Sequence, residues 1–286
     1  MKFELRFDRD TRRLWKDLAM NIAALACVIV ALIPLGSILF EASARGLRSI
    51  SPSFLTTTTA VNGIGNAIQG TLILVALSSL VALPIGIVTG IYLAEFGRNR
   101  IGEAVRFFVD VMTQIPSIVV GIFAYSLMLA LNPSNPRIVF STFSGVIALS
   151  TIMIPFVART SEEALRLVPN STREAALALG IPFHRTILRV VLPAAGSAVL
   201  TGGLLGVARI SGETAPLLMT AFGNPFWFEG LEHPIESLPH TIFTFATGPY
   251  PAQNQAAWGA SLILVLMMLG ISIASRVVLR LRSVSG

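Results

Sequence analysis

Long apolar runs alternate with shorter polar segments along the chain. A helix needs about 20 apolar residues to cross the hydrocarbon core of a bilayer. Pro84 and Pro116 fall inside two of the runs, and we expect them to interrupt helices near the middle of the membrane. The pattern predicts an all-α, polytopic membrane protein. Its six predicted transmembrane helices cover about 18–40, 68–93, 111–131, 140–158, 194–222 and 257–279.

The composition supports this interpretation and bounds the number of domains. Hydrophobic residues make up 53% of the 286 positions and charged residues only 13%, whereas soluble domains carry about 25% charged residues. A soluble protein of this size and composition would have too few charged residues to cover its folded surface. We therefore expect residues 1–17 to form a cytoplasmic N-terminal segment and residues 18–282 to form one transmembrane domain, with a long outer loop at 223–256.

The distribution of basic residues predicts the orientation in the membrane. Of the 21 Lys and Arg residues, 17 lie in the N-terminal segment, in 94–110, in 159–193 and at the C-terminal end. The segments on the opposite side hold only Arg45, Arg48 and Arg137. Because cytoplasmic loops carry an excess of Lys and Arg, we expect both termini to lie in the cytoplasm. The protein itself is expected in the cell (inner) membrane. Topology thus explains the basicity, and we expect no nucleic-acid partner.

The predicted cytoplasmic segment 159–193 is too long for a simple connection. It carries signals for two short helices. The first covers 173–179 and ends at Gly180, a residue type that closes helices. The second begins after Pro182 and ends at Leu192-Pro193. A two-helix elbow of this kind suits a lever moved by a partner, and an ordinary connecting loop is the alternative.

The elbow carries a recognisable spacing of residues. It reads Glu-Ala-Ala, three residues, Gly, nine residues, and then an aliphatic residue followed by x-Leu-Pro. This spacing resembles the EAA loop of ABC importer permeases, with Val190 where the family prefers Ile. The resemblance implies that the loop docks on a separate ATPase subunit and passes its nucleotide-driven motion to the spans. The coupling residues carried over are Glu174, Ala175, Ala176, Gly180, Leu192 and Pro193.

Further stretches narrow the resemblance to one group of ABC permeases. The stretch 208–217 contains Arg-x-x-Gly-Glu-Thr-Ala-Pro, and with 66–71, 82–95 and 116–121 it is similar to PstA-type permeases of phosphate-specific importers. The resemblance covers roughly 60–282. It implies a type I permease fold, phosphate as the substrate, a second permease subunit (PstC type), an ATPase subunit dimer and an extracytoplasmic phosphate-binding protein. A permease for another oxyanion, such as sulfate or molybdate, is the alternative within the ABC class.

Two charged residues fall inside the fifth predicted span. Arg209 and Glu213 are four positions apart, so on a continuous helix they would share one face. A charge at the membrane centre costs about 2.5–3.5 kcal/mol on insertion scales, and such residues usually face a cavity. The guanidinium fork of Arg209 matches the oxygens of a tetrahedral oxyanion. A role in the translocation pathway or its gate and a purely structural ion pair are both open, and the family resemblance favours the first.

Smaller polar residues in or beside the spans are weaker candidates. Side chains of this kind line pathways, but more often they join helices by hydrogen bonds. The candidate pathway-lining residues are Gln69, Gln114, Ser117, Ser211 and Thr214.

The sequence predicts a transporter subunit and not an enzyme. Its two lysines, Lys2 and Lys16, do not follow a glycine-rich loop, so the chain has no P-loop. ATP is therefore expected on a partner ATPase subunit, and we expect no cofactor or metal on this chain. A gradient-driven anion transporter is the alternative from another class, but it would have no use for an ATPase-docking elbow.

Overall fold

The protein is built from α-helices. The computed structural model describes the backbone of residues 7–284 and the side chains of 13–135 and 138–273. Within that part only one isolated β-bridge occurs, and the predicted all-α class is confirmed. Two short π-helical segments, Tyr92–Phe96 and Ile187–Val191, continue neighbouring helices. The α-helices are α1 (Phe7–Ser49), α2 (Pro52–Thr56), α3 (Gly65–Ile91), α4 (Arg100–Gln114), α5 (Ser117–Leu131), α6 (Thr142–Arg166), α7 (Asn170–Ala178), α8 (Phe183–Thr186), α9 (Leu192–Ser211), α10 (Ala215–Thr220), α11 (Leu238–Thr247) and α12 (Pro251–Val284).

Five continuous helical stretches in the described part are long and apolar enough to cross a membrane. The pair α4–α5 makes a sixth candidate span, bent by 108°. Each of the six predicted spans overlaps one of these, while residues 1–6 of the predicted N-terminal segment lie outside the described residues. The five stretches are Arg13–Ser49, Gly65–Phe96, Thr142–Arg166, Phe183–Ser211 and Pro251–Ile273.

The predicted third span, 111–131, is not one helix. Its first residues belong to α4, and the chain turns sharply at Ile115-Pro116 before α5 begins. Proline lacks an amide hydrogen and disfavours the helical conformation of the residue before it. Ile115 accordingly has φ −67° and ψ 130°, which is extended backbone. The expected interruption at Pro116 therefore occurs, whereas Pro84 lies inside the uninterrupted helix α3.

The predicted fifth span, 194–222, is also divided. α9 stops at Ser211 and α10 begins at Ala215, so residues 212–214 form a break between the two helices. Pro216 sits in the first turn of α10, where its missing amide hydrogen leaves no helical hydrogen bond unmade. The break places Arg209 and Glu213 on different sides of a helix end.

The core of the molecule lies where α6 packs against α3. A Cβ atom on Gly86 would lie 2.7 Å from Cβ of Val157, and one on Gly90 would lie 2.5 Å from Cβ of Ser161. Both distances are too short for real carbon atoms, so only glycine permits this approach. Lipid removes the hydrophobic drive between membrane helices, and close packing of small residues replaces it. The two glycines therefore fix the separation and register of α3 and α6.

The predicted outer loop 223–256 is folded onto the start of α3 and contains α11. The side-chain amide of Asn66 donates a hydrogen bond to the carbonyl of Asn224 at 2.8 Å. The hydroxyl of Thr71 accepts one from the amide of Leu238 at 2.8 Å. Both side chains are buried, so their polar atoms need these partners. The segment is thus a structured cap on the helices.

Replacing Gly90 by Ala should destabilise the protein. The added Cβ would lie 2.8 Å from the carbonyl oxygen of Ala158, a backbone atom that cannot rotate away. We expect the free energy of unfolding to fall by about 1–3 kcal/mol, the usual range for overpacking. Thermal unfolding in detergent measures the change. Gly36→Ala is the matched control, because a Cβ there meets nothing within 4 Å; equal melting temperatures for the two variants would contradict the proposed role of Gly90.

Candidate functional site

The two charged residues of the fifth predicted span meet across the end of α9. Arg209 lies on the last turn of α9, and Glu213 lies beyond it, with its amide donating to the carbonyl of Ile210 at 3.3 Å. The Nε atom of Arg209 is 3.9 Å from Oε1 of Glu213. This separation is at the outer limit of an ion pair and longer than a hydrogen bond. Because α9 ends at Ser211, Glu213 does not lie on the helix that carries Arg209, although the two charges remain close.

Among the residues that the structure describes, Arg209 keeps most of its hydrogen-bonding capacity. Its side chain is 45% exposed, compared with 16% for Glu213. The guanidinium carbon lies 5.7 Å from the ring centre of Phe156 on α6, within the range of a cation–π contact. A guanidinium carries five N–H donors, and neither the ring nor the distant carboxylate saturates them. The arrangement can accept an oxyanion without first breaking a strong bond.

Of the smaller candidates, Ser211 and Thr214 lie beside the pair in sequence, whereas Gln69, Gln114 and Ser117 lie on α3, α4 and α5. Gln69 accepts a hydrogen bond from the amide of Phe228 at 3.3 Å, on the outer cap. The side-chain amide of Gln114 donates to the carbonyl of Asp110 within α4, and the buried hydroxyl of Ser211 donates to the carbonyl of Val207 at 2.7 Å. These three side chains thus serve local structure. The remaining two candidates, Ser117 and Thr214, are half-buried at the starts of α5 and α10.

The first half of the elbow is helix α7, which begins at Asn170, three residues before the predicted start. Its end is closed by Gly180, whose φ of +77° is open to glycine at little cost. The amide of Gly180 donates to Leu177 at 2.9 Å, and the amide of Ile181 donates to Ala176 at 3.2 Å. These two bonds form a Schellman motif. The glycine at this position of the Glu-Ala-Ala spacing is therefore required by the way that α7 ends.

The second half of the elbow is continuous with the membrane helix that follows. The predicted helix end at Leu192-Pro193 is wrong, because helix extends from Phe183 to Ser211. The missing amide hydrogen of Pro193 falls just after the π-helical turn Ile187–Val191, where the regular hydrogen-bond pattern is already shifted. Of the residues carried over from the family motif, Ala176 is buried and Leu192 half-buried, while the exposed ones are Glu174, Ala175, Gly180 and Pro193.

A buried ion pair that the sequence did not predict holds the elbow to the membrane helices. Arg173 on α7 contacts Glu95, in the π-helical end of α3, through Nη2–Oε1 at 2.6 Å and Nε–Oε2 at 3.2 Å. The same guanidinium donates to the carbonyls of Val168 and Leu165. Glu95 is 4% exposed and Arg173 15% exposed. Five hydrogen bonds from this one side chain thus fix α7 against the ends of α3 and α6.

A second buried carboxylate ties α4 to α6. Glu162 is 1% exposed, and its Oε1 accepts a hydrogen bond from Arg106 at 2.9 Å and lies 2.7 Å from Nη2 of Arg166 in an ion pair. Arg159 approaches the other oxygen at 3.8 Å. Arg106 also donates to the carbonyl of Leu93 at 3.2 Å. One buried carboxylate therefore collects three arginines at the end of the bundle that carries the elbow.

Part of this network has a sequence signal and part has none. Arg159, Glu162 and Arg166 are three and four positions apart on one helix, the spacing of side-chain pairs on a helix face. In contrast, Arg106 and Glu162 are 56 positions apart, and Arg173 and Glu95 are 78 apart. Such distant pairs become visible only once α3, α4 and α7 are placed around α6.

The helical arrangement is that of ABC transporter permeases. A solved chain described as inward-facing conformations of the MetNI methionine ABC transporter matches with a TM-score of 0.61 and 18% identity, over 76% of this chain and 96% of that chain. At this identity the likeness shows the fold, and it confirms the predicted type I permease architecture.

Sequence relatives are more specific than the fold. The family model for the inner membrane component of binding-protein-dependent transport systems matches residues 86–282. The phosphate transport system permease protein PstA of Yersinia pestis is 40% identical, over 94% of this chain and 93% of that protein. The PstA protein of Xylella fastidiosa strain 9a5c is 44% identical, over 76% and 75%. The chain belongs to this PstA family of inner-membrane, multi-pass permeases, as the motif resemblance predicts.

Removing the charge of Arg173 should loosen the elbow. In Arg173→Gln the carboxylate of Glu95 stays buried without its cation, and such a loss usually costs about 3–5 kcal/mol. We expect trypsin to cut the elbow at least about tenfold faster, the factor for about 1.4 kcal/mol of local stability. Limited proteolysis of the purified protein measures the rate.

The matched control is Arg185→Gln, which removes one trypsin site from the same elbow at an exposed position. The double variant Glu95→Gln/Arg173→Gln should be cut more slowly than Arg173→Gln, because no buried charge is left unpaired. Equal cleavage rates for Arg173→Gln and Arg185→Gln would show that the ion pair does not hold the elbow.

Proposed function

We propose that this chain is a permease subunit of an ATP-driven importer of inorganic phosphate. The observation that supports it most strongly is the half-exposed guanidinium of Arg209 at the break between α9 and α10, in a chain of the PstA family. Phosphate carries charged oxygens that a guanidinium binds in a bidentate manner. The relatives from Yersinia pestis and Xylella fastidiosa are phosphate transport system permease proteins.

The geometry of Arg209 and Glu213 suits weak, reversible binding of an anion better than tight binding. Glu213 lies 3.9 Å from Arg209, close enough to oppose an incoming anion and too far to satisfy the guanidinium fully. A site on a transport route must bind its ion and also release it. Arg209 supplies the attraction, and Glu213 limits it by repelling the anion. The pair thereby guides or gates phosphate, and Ser117 and Thr214 are the smaller candidates that remain for the lining of the route.

The energy source lies outside this chain in the proposal. ATP binds to a dimer of separate ATPase subunits, because the sequence offers no P-loop. The exposed face of the elbow, with Glu174 and Ala175, docks on one ATPase subunit, and Gly180 fixes the shape of that face. A second permease subunit of PstC type completes the route, and an extracytoplasmic phosphate-binding protein delivers the anion to the outer cap. No cofactor is assigned to this chain itself.

Phosphate uptake into vesicles tests the substrate and the energy source together. The vesicles hold this chain with its permease and ATPase partners, and the binding protein is added outside. We expect labelled phosphate to accumulate only with both ATP and the binding protein, and excess sulfate to leave the rate unchanged. Uptake that ignores ATP and follows an ion gradient would replace the importer by a secondary carrier. Uptake suppressed by sulfate or molybdate would reassign the oxyanion.

The variant Arg209→Leu tests the proposed route. We expect uptake to fall at least about tenfold, the factor for losing about 1.4 kcal/mol of interaction with the anion, while insertion and assembly remain normal. The control is Leu205→Ala, one helical turn away and 54% exposed. Near-normal uptake by Arg209→Leu would leave the pair a structural role only, and Glu213→Gln should then change stability without changing transport.

A further inference from the structure

A polar cavity beside the elbow has no part in the proposed transport route. It has a volume of about 580 Å³ and lies between the end of α3, the start of α4, the end of α6 and α7. Charged side chains dominate its walls. They are Arg98, Arg106, Arg166, Arg173, Glu95 and Glu103, with a formal charge of +2.

The arginines of the cavity are only partly neutralised. Arg173 is matched by Glu95. Arg106 and Arg166 share the single carboxylate of Glu162, which sits behind the wall and also approaches Arg159. Arg159 has further partners in Glu163 and Asp110. The four arginines of the cavity therefore face three carboxylates, Glu95, Glu103 and Glu162, and one positive charge remains.

Several N–H donors of these arginines are also unused within the described residues. Arg106 uses Nε on Glu162 and Nη2 on the carbonyl of Leu93, which leaves Nη1. Arg98 forms no ion pair with any described side chain. Unpaired positive charge around a concave, partly enclosed volume is the feature that attracts anions.

We propose that this cavity binds a phosphate-class oxyanion from the cytoplasmic side. Guanidinium groups bind phosphate oxygens through paired, charge-assisted hydrogen bonds, and Arg98, Arg106 and Arg166 surround the same space. Free phosphate and the phosphodiester of an anionic lipid headgroup share this chemistry. A bound anion would join α4, α6 and α7 at the point where Arg173 fixes the elbow, so its occupancy would stiffen the elbow. The inference does not rest on the transport role of Arg209.

Binding of labelled inorganic phosphate to the assembled importer tests the site. The importer is held in phosphatidylcholine nanodiscs without ATP or binding protein, and equilibrium dialysis gives the bound fraction. The test variant is Arg98→Gln, and the matched control is Arg100→Gln, an exposed arginine two positions away that does not line the cavity. We expect Arg98→Gln to raise the dissociation constant about tenfold, the scale of one charge-assisted hydrogen bond, and Arg100→Gln to change it less than about twofold.

Equal effects of the two variants would mean general attraction by surface charge and would overturn the site, as would the absence of saturable binding. Arg209 is intact in both variants, so binding at the transport route contributes equally to each. Because no transport is measured, a chain that imports nothing can still pass this test. Conversely, if the importer transports phosphate but shows no Arg98-dependent binding, the proposed cavity site is wrong while the proposed transport function stands.

A second arm identifies the source of the anion. The same dialysis is repeated in nanodiscs made from equal parts of phosphatidylcholine and phosphatidylglycerol. If the Arg98-dependent binding of phosphate persists, the natural ligand is a free oxyanion. If the Arg98-dependent binding of phosphate is lost in the nanodiscs that contain phosphatidylglycerol, and Arg98→Gln does not bring it back, the lipid headgroup occupies the cavity. Both results support the site. Phosphate binding that does not depend on Arg98 in nanodiscs of pure phosphatidylcholine would contradict it.

Discussion

The close approach of α3 to α6 is the contact on which the rest of the structure depends. Gly86 and Gly90 allow the two backbones to meet, and a Cβ on Gly90 would lie 3.0 Å from the amide nitrogen of Glu162. This contact sets the register between the end of α3 and the end of α6. Glu95 comes five residues after Gly90, so the same register brings its carboxylate within reach of Arg173. Packing at two glycines thus decides where the buried charges can pair.

The buried carboxylates in turn explain why the elbow end is rich in arginine. Glu95 and Glu162 are 4% and 1% exposed, and a buried carboxylate remains charged only when cations and hydrogen bonds surround it. Arginine is suited to this because one guanidinium can serve a carboxylate and several carbonyls at once. The basic residues that set the predicted orientation therefore have a second, structural use. The surplus of positive charge beside them creates the cavity we assign to an oxyanion.

The features that followed from sequence are local ones, and the features that did not depend on distant packing. The elbow's spacing identified Gly180, whose positive φ is a local requirement. Pro84 and Pro116 carry the same local signal, yet only Pro116 breaks a helix. Pro84 itself is exposed, but Ala82 and Gly86 on either side of it are buried against the packed bundle, and the helix continues through the proline. Likewise, the pairing of Arg173 with Glu95 spans 78 positions and requires the fold.

The elbow and Arg209 lie at opposite ends of one continuous helix. It runs from Phe183 to Ser211, 29 residues or about 43 Å. Glycines hold it against α6, since a Cβ on Gly202 would lie 2.6 Å from Oγ1 of Thr160, and such packed surfaces move as rigid bodies. The break at 212–214 separates this helix from α10, which is packed on α5. Arg209 lies in the last turn of this helix and Glu213 lies inside the break, so a change in the backbone of the break changes their 3.9 Å separation. Displacement of the elbow therefore reaches the charge pair through a single rigid element.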